Sequence, residues 1–184
     1  VRILILSHTR CGSTTLSKWL EKELNIYLDE TKHNKMSFDS AFQNESVISK
    51  IVVEEYFPTK EEVEKFDKVI FLMRKNSIDA AISYIRANNI EEWHEKYEVT
   101  SEWIEENKIK IINTSNHING LKMKLKDYVG FHVTYEDIYV NKSSVNKILN
   151  YMDIKSPKHL DMLEYDKKYR KDNNVFIKKH INLI

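Results

Sequence analysis

Residues 7–16 read Ser7-His8-Thr9-Arg10-Cys11-Gly12-Ser13-Thr14-Thr15-Leu16, a permanent cation and a glycine followed by three consecutive hydroxyls. That composition suits an anion cradle. N–H groups in the first turn of a helix lack intrahelical partners and carry partial positive charge, so they favour an anion. Gly12 lets the backbone approach a ligand closely. Ser13, Thr14 and Thr15 add hydroxyl donors, and Arg10 adds a planar fork of donors with a fixed charge. The Gly-Lys pair that precedes Ser or Thr in nucleoside-triphosphate loops is absent. The expected ligand is therefore phosphate-like without having to be ATP or GTP. Cys11 invites a nucleophile reading, because a helix N-terminus lowers a thiol's pKa. The Cys-x5-Arg spacing of phosphatases is missing, since Ser17 stands where the Arg would be, and the nucleophile is set aside.

A second group of residues has the same character. Arg74 leaves the apolar run Lys68–Met73 at its C-terminal end, followed by Lys75 and Asn76, and Ser83 falls nine positions after Arg74 inside a helical pattern. Alone, the pair describes equally well a salt-bridged strand end and a small packing residue.

Both groups need elements to hold them. Arg2–Leu6 reads as a buried strand, and Thr14–Leu24 as a helix with Leu16, Leu20 and Leu24 on one face and Trp19 beside them. A short extended piece at 26–28, strands at 47–53, 68–73 and 131–134, and a helix from Ser77 to Asn88 follow. Thr59 and Glu62 form a capping-box pattern opening a short helix to Phe66. A long amphipathic pattern runs from Thr100 through Ile111, Ile118 and Leu125, and Asn141 is positioned to cap a helix containing Val145, Ile148 and Leu149. Strands alternating with helices predict an α/β domain, with a mostly parallel sheet between two helical layers. Ligands in such sheets bind at the C-terminal ends of strands, where both groups of residues lie.

Composition narrows the function classes. The 184 residues carry a net charge of +1, so no global field draws the chain to nucleic acid or to a membrane surface. One domain covering residues 1–184 is expected from the length. A single cysteine rules out an intrachain disulfide and makes a reducing compartment the default. No apolar run reaches bilayer length, and no signal-peptide pattern is visible, so a cytoplasmic location is the expectation.

With these residues in view, the chain resembles the sulfotransferase family that uses 3′-phosphoadenosine 5′-phosphosulfate. Arg10-Cys11-Gly12-Ser13-Thr14-Thr15-Leu16 is similar to the family's 5′-phosphosulfate loop, with Cys11 in place of the common Ser. Arg74 and Ser83 resemble its 3′-phosphate motif. Their separation is one position longer than in many members and is similar to that of bacterial trehalose-type sulfotransferases, a register in which Lys75 would share the role of Arg74. Val133-Thr134-Tyr135-Glu136-Asp137-Ile138 resembles a late family segment. The resemblance implies a three-layer fold like that of P-loop nucleotide hydrolases and transfer of a sulfuryl group to a hydroxyl or amine of a small-molecule or glycan acceptor, without a metal. It implies Arg10 on the leaving phosphosulfate and Lys50 aimed at the sulfuryl group. Arg170 and Lys171 would close over the 3′-phosphate. Glu30 fits the family's base, with His33 and Asp29 as alternatives. The rival readings are a nucleotide or small-molecule kinase with a degenerate phosphate loop, and a non-catalytic nucleotide-binding module.

Overall fold

The computed structural model describes residues 1–29, 39, 41–89 and 100–164. Its centre is a parallel sheet of five strands: β1 (Arg2–Ser7), β2 (Leu28–Asp29), β3 (Val47–Val52), β4 (Lys68–Met73) and β5 (Phe131–Thr134). Their order across the sheet is β2-β3-β1-β4-β5. Register is fixed by apolar residues buried on both faces, with Leu4 opposite Ser49 of β3 and Val69 of β4. The helices are α1 (Ser13–Leu24), α2 (Lys60–Val63), α3 (Ser77–Asn89), α4 (Ser101–Leu125) and α5 (Val145–Tyr151).

Alternation along β1 sends its side chains to opposite faces. Ile3 and Ile5 pack in one core with Leu16, Trp19 and Leu20 of α1 and Ile148 and Leu149 of α5. Leu4 and Leu6 belong to the core of the other face, with Val63 of α2 and Leu121 and Leu125 of α4. A third cluster joins α3 to α4 through Ala81, Ile85, Ile104, Ile111 and Ile118. The architecture is the α/β/α arrangement that the alternation predicts.

The capping box at Thr59 and Glu62 is formed, although its helix stops at Val63 rather than Phe66. The helix expected after Asn141 starts later, at Val145, with Ser144 as its N-cap residue. The chain first makes a π-helical turn over Glu136–Val140, and Asn141 closes it by donating its N–H to the Glu136 carbonyl at 2.8 Å. Asn141 therefore ends one element instead of opening the next.

Strand order sets where a ligand can enter. The connection from β1 runs toward β2, and the connection from β4 runs toward β5, away from it. Chains that leave neighbouring strands in opposite directions open a crevice between those strand ends. The crevice lies between the C-terminal ends of β1 and β4. No helix among the described residues is long and apolar enough to cross a membrane.

Candidate functional site

The loop after β1 turns sharply. Arg10 and Gly12 both take left-handed backbone conformations, with φ of 60° and 83°. Gly12 is the N-cap of α1 and supplies no side chain to the first turn. The helix is held instead by burial of Leu16, Trp19 and Leu20, each contributing about 1.5–3 kcal/mol. Packing thus stabilises a helix start with no side-chain cap, which suits it to an incoming anion. Thr14 and Thr15 are exposed there and Ser13 is buried.

Gly12 is needed for a second reason. A Cβ at this position would come within 2.7 Å of the Tyr139 ring and 3.2 Å of the Tyr135 ring. Tyr139, in the π-helical turn, donates its hydroxyl to the Gly12 carbonyl at 2.7 Å. The turn after β5 therefore presses directly on the loop after β1.

The same turn grips the end of β4. The Arg74 guanidinium lies over the Tyr135 ring, 4.4 Å from its centroid. Lys75 donates its backbone N–H to Glu136 Oε2 at 2.9 Å and its Nζ to Asp137 Oδ1 at 2.6 Å. Asp137 also accepts from the Thr134 hydroxyl at 2.7 Å. The Lys75 ammonium, with Thr134, holds the Asp137 carboxyl below its usual range. Lys75 is anchored to this turn. Arg74 Nε is buried with no hydrogen-bond partner among the described residues, and so is Glu136 Oε1. A buried guanidinium N–H without an acceptor is costly unless a ligand supplies one.

Arg10 and Ser83, expected to serve opposite ends of a ligand, touch: Arg10 Nε donates to Ser83 Oγ at 3.3 Å. Although Arg10 is exposed as a whole, desolvation of its guanidinium, and then the nearby charge of Arg74, lower its proton affinity. Two cations that repel each other on one strand edge make a surface that a multivalent anion relieves. From the other side, Lys50 Nζ on β3 donates to Thr14 Oγ1 at 2.9 Å, in the first turn of α1. The structure thus gathers Arg10, Gly12, Ser13, Thr14, Thr15, Lys50, Arg74 and Ser83 along one edge. Asp29 lies buried at the end of β2. Glu30, His33, Arg170 and Lys171 lie outside the described residues.

Cys11 faces the interior. Its Sγ donates to the His8 carbonyl at 2.9 Å, and burial pushes the thiol up to about 12. It is a packing residue of the loop.

Four residues that the motifs do not announce complete the site. His8 is 0% exposed, and its Nε2 accepts the Arg74 backbone N–H at 2.9 Å. Glu54, just beyond β3, accepts the Thr9 N–H on both carboxylate oxygens at 3.0 and 3.1 Å. Although Glu54 is exposed as a whole, desolvation of its carboxylate raises its proton affinity, against the Thr9 N–H. Lys122 reaches from α4 to the Lys75 carbonyl at 3.0 Å and the Ser77 hydroxyl at 2.7 Å, fixing the start of α3. Tyr139 is the fourth. None of the four stands out in the sequence, because each acts on a group far from it along the chain or on the backbone.

No family model and no curated protein sequence matches the chain. Solved structures do. A mouse sulfotransferase complexed with PAP superposes with a TM-score of 0.56 at 16% identity, over 88% of this chain and 60% of that one. Shikimate kinase from Bacteroides thetaiotaomicron gives a TM-score of 0.50 at 15% identity, over 84% of this chain and 99% of that one. The chain thus spans about 60% of the mouse enzyme's length. The fold is the α/β fold shared by sulfotransferases and P-loop kinases.

Proposed function

We propose that the chain is a sulfotransferase that moves a sulfuryl group from 3′-phosphoadenosine 5′-phosphosulfate to a hydroxyl or amine of a small-molecule or glycan acceptor. The observation that carries the reading is Arg74. Its guanidinium is stacked on Tyr135 with a buried Nε that has no partner among the described residues, on the same sheet edge as a phosphate loop that lacks the Gly-Lys pair. A donor with a phosphate at each end of its ribose needs a second anion contact of this kind, and a nucleoside triphosphate does not.

The residues fit that donor. Arg10, the first-turn N–H groups of α1 and the hydroxyls of Ser13, Thr14 and Thr15 would hold its 5′ side, and Arg74 and Ser83 its 3′-phosphate. When bound, it supplies an activated sulfuryl group with adenosine 3′,5′-bisphosphate as the leaving group. Lys50, held at Thr14, would place a positive charge where sulfuryl oxygens gain negative charge, and preorganised charge of this kind is a main source of rate in group transfer. Glu30 is the proposed base for the acceptor, with Asp29 and His33 as alternatives. Arg170 and Lys171 are proposed to add charge at the 3′-phosphate.

Calorimetric titration with adenosine 3′,5′-bisphosphate and with ATP tests this. Binding of the bisphosphate without Mg²⁺, more tightly than ATP, is expected. ATP binding that requires Mg²⁺, with none of the bisphosphate, would make the chain a kinase. Bisphosphate binding without turnover on any hydroxyl or amine acceptor would make it a binding module.

A further inference from the structure

His8 is the residue through which the two anion contacts meet. It is the last side chain before the loop turns, it is 0% exposed, and both ring nitrogens are engaged. Nε2 accepts the backbone N–H of Arg74 at 2.9 Å, and Nδ1 lies 2.7 Å from the Thr9 carbonyl. A backbone N–H can only donate and a carbonyl can only accept. The two contacts therefore assign a single state, neutral imidazole with the proton on Nδ1.

We propose that His8 is a positioning residue: as the Nδ1–H tautomer it ties the end of β4 to the phosphate loop, so that Arg74 and the loop engage the two phosphates of one ligand as a single site. This rests on the sulfotransferase reading above for the ligand, and on geometry alone for the tie. The imidazole bridges the crevice between β1 and β4, where the sheet itself supplies no further ladder. Backbone hydrogen bonds between the two strands reach Ser7 and Leu72 in register. Beyond them His8 takes over with a side chain. Among the described residues His8 is the acceptor of the Arg74 N–H, and losing it would free Arg74 to shift relative to Arg10 while leaving each anion contact present.

Two substitutions separate the two bonds. In His8→Gln, Oε1 falls near the place of Nε2 and can accept from Arg74, while the contact to Thr9 is lost. In His8→Asn, Nδ2 falls near the place of Nδ1 and can donate to Thr9, while Arg74 is beyond reach. Affinity would be measured by calorimetry for adenosine 3′,5′-bisphosphate, 5′-AMP and 3′-AMP. His8→Gln is expected to stay within about threefold of the unsubstituted protein for all three ligands. His8→Asn is expected to lose about tenfold for the bisphosphate and less than about threefold for either monophosphate, because only the bisphosphate needs both contacts in register. Equal losses for all three ligands, or the same behaviour in both variants, would overturn the proposal.

A second readout needs no ligand. Ring ¹⁵N shifts of the unsubstituted protein at pH 7 should show Nδ1 protonated and Nε2 bare, and hydrogen exchange at the Arg74 amide should remain slow in His8→Gln and become fast in His8→Asn. The opposite tautomer, a charged ring, or equal exchange in the two variants would overturn the tie. If no adenine nucleotide binds, the sulfotransferase reading falls, and the exchange and ring shifts still decide His8 by themselves.

Discussion

His8 has to remain neutral to accept from Arg74, and its surroundings enforce this. Burial is the largest cause; Lys122 and Arg74 add to it, the Thr9 carbonyl opposes it, and the ring is lowered from an ordinary value of 6.5 to about 4. A histidine lowered in the folded state binds its proton in the unfolded chain first. Its contribution to stability is complete above about pH 6.5, shrinks as pH falls toward 4, and is gone below that. The shift corresponds to roughly 3 kcal/mol at most. Urea unfolding at pH 7, 6, 5 and 4 should show this decline, and His8→Gln should lack that part of it; matching declines in the two proteins would mean that His8 is not the group that titrates. At this scale the sequence was informative where a residue type has few uses. Arg10, Gly12 and the hydroxyls of 13–15 sit next to each other and point to an anion without help. His8 and Lys122 gave no such reading, because their roles depend on backbone groups of Arg74, Lys75 and Thr9 brought near by the fold. The contact between Arg10 and Ser83 was equally hidden, since two motifs read separately carry no distance between them.

The turn over Glu136–Val140 acts on two strand ends at once. Tyr135 and Glu136 fix the start of the Arg74–Lys75 segment, and Tyr139 sets the loop at Gly12. Removing the Tyr139 hydroxyl by Tyr139→Phe deletes one hydrogen bond, while the Gly12 carbonyl keeps the Leu16 N–H at 3.1 Å. A loss of about 1 kcal/mol is expected in denaturant unfolding, with the fold retained. Gly12→Ala should cost more. It forces a Cβ to within 2.7 Å of the Tyr139 ring at a φ of 83°, and the backbone strain alone is worth about 1–3 kcal/mol. Bisphosphate affinity should fall with it, because the ring can yield only by moving the loop. A Gly12→Ala protein as stable as Tyr139→Phe would show that the loop adapts freely. The strands at 68–73 and 131–134 were legible to the residue: the first is an apolar run closed by Arg74, and the second alternates Phe131 and Val133 with polar residues. The π-helical turn was not. Tyr135-Glu136-Asp137-Ile138-Tyr139 has the same apolar spacing as an ordinary helix start, and its extra residue per turn is imposed by packing against Gly12 and Arg74.

For the whole molecule, alternation of strands and helices was enough to predict a parallel sheet between helical layers, because parallel strands require crossovers. Strand order was not readable. Any of several orders buries the same apolar runs, and only the placement of β1 between β3 and β4 brings Lys50, the loop and Arg74 to one crevice. That placement makes a global prediction. A ligand that bridges the crevice holds β1, β3 and β4 together, and binding to the folded state alone stabilises by about 2.7 kcal/mol at a hundredfold excess over Kd. For a chain of this length each kcal/mol raises Tm by about 2–4 °C, so adenosine 3′,5′-bisphosphate at that excess should raise it by about 5–10 °C. At the same concentration 5′-AMP should give a smaller rise, since it leaves Arg74 unengaged. Arg74→Ala should bring the bisphosphate down to the 5′-AMP value and leave the 5′-AMP value where it was. Added salt should shrink the bisphosphate's advantage, because its extra contact is ionic and the site is open to solvent at Thr14, Thr15 and Arg10. A rise for 5′-AMP as large as that for the bisphosphate would place the whole of the binding in the loop after β1, and would remove the reason for assigning Arg74 to a second phosphate.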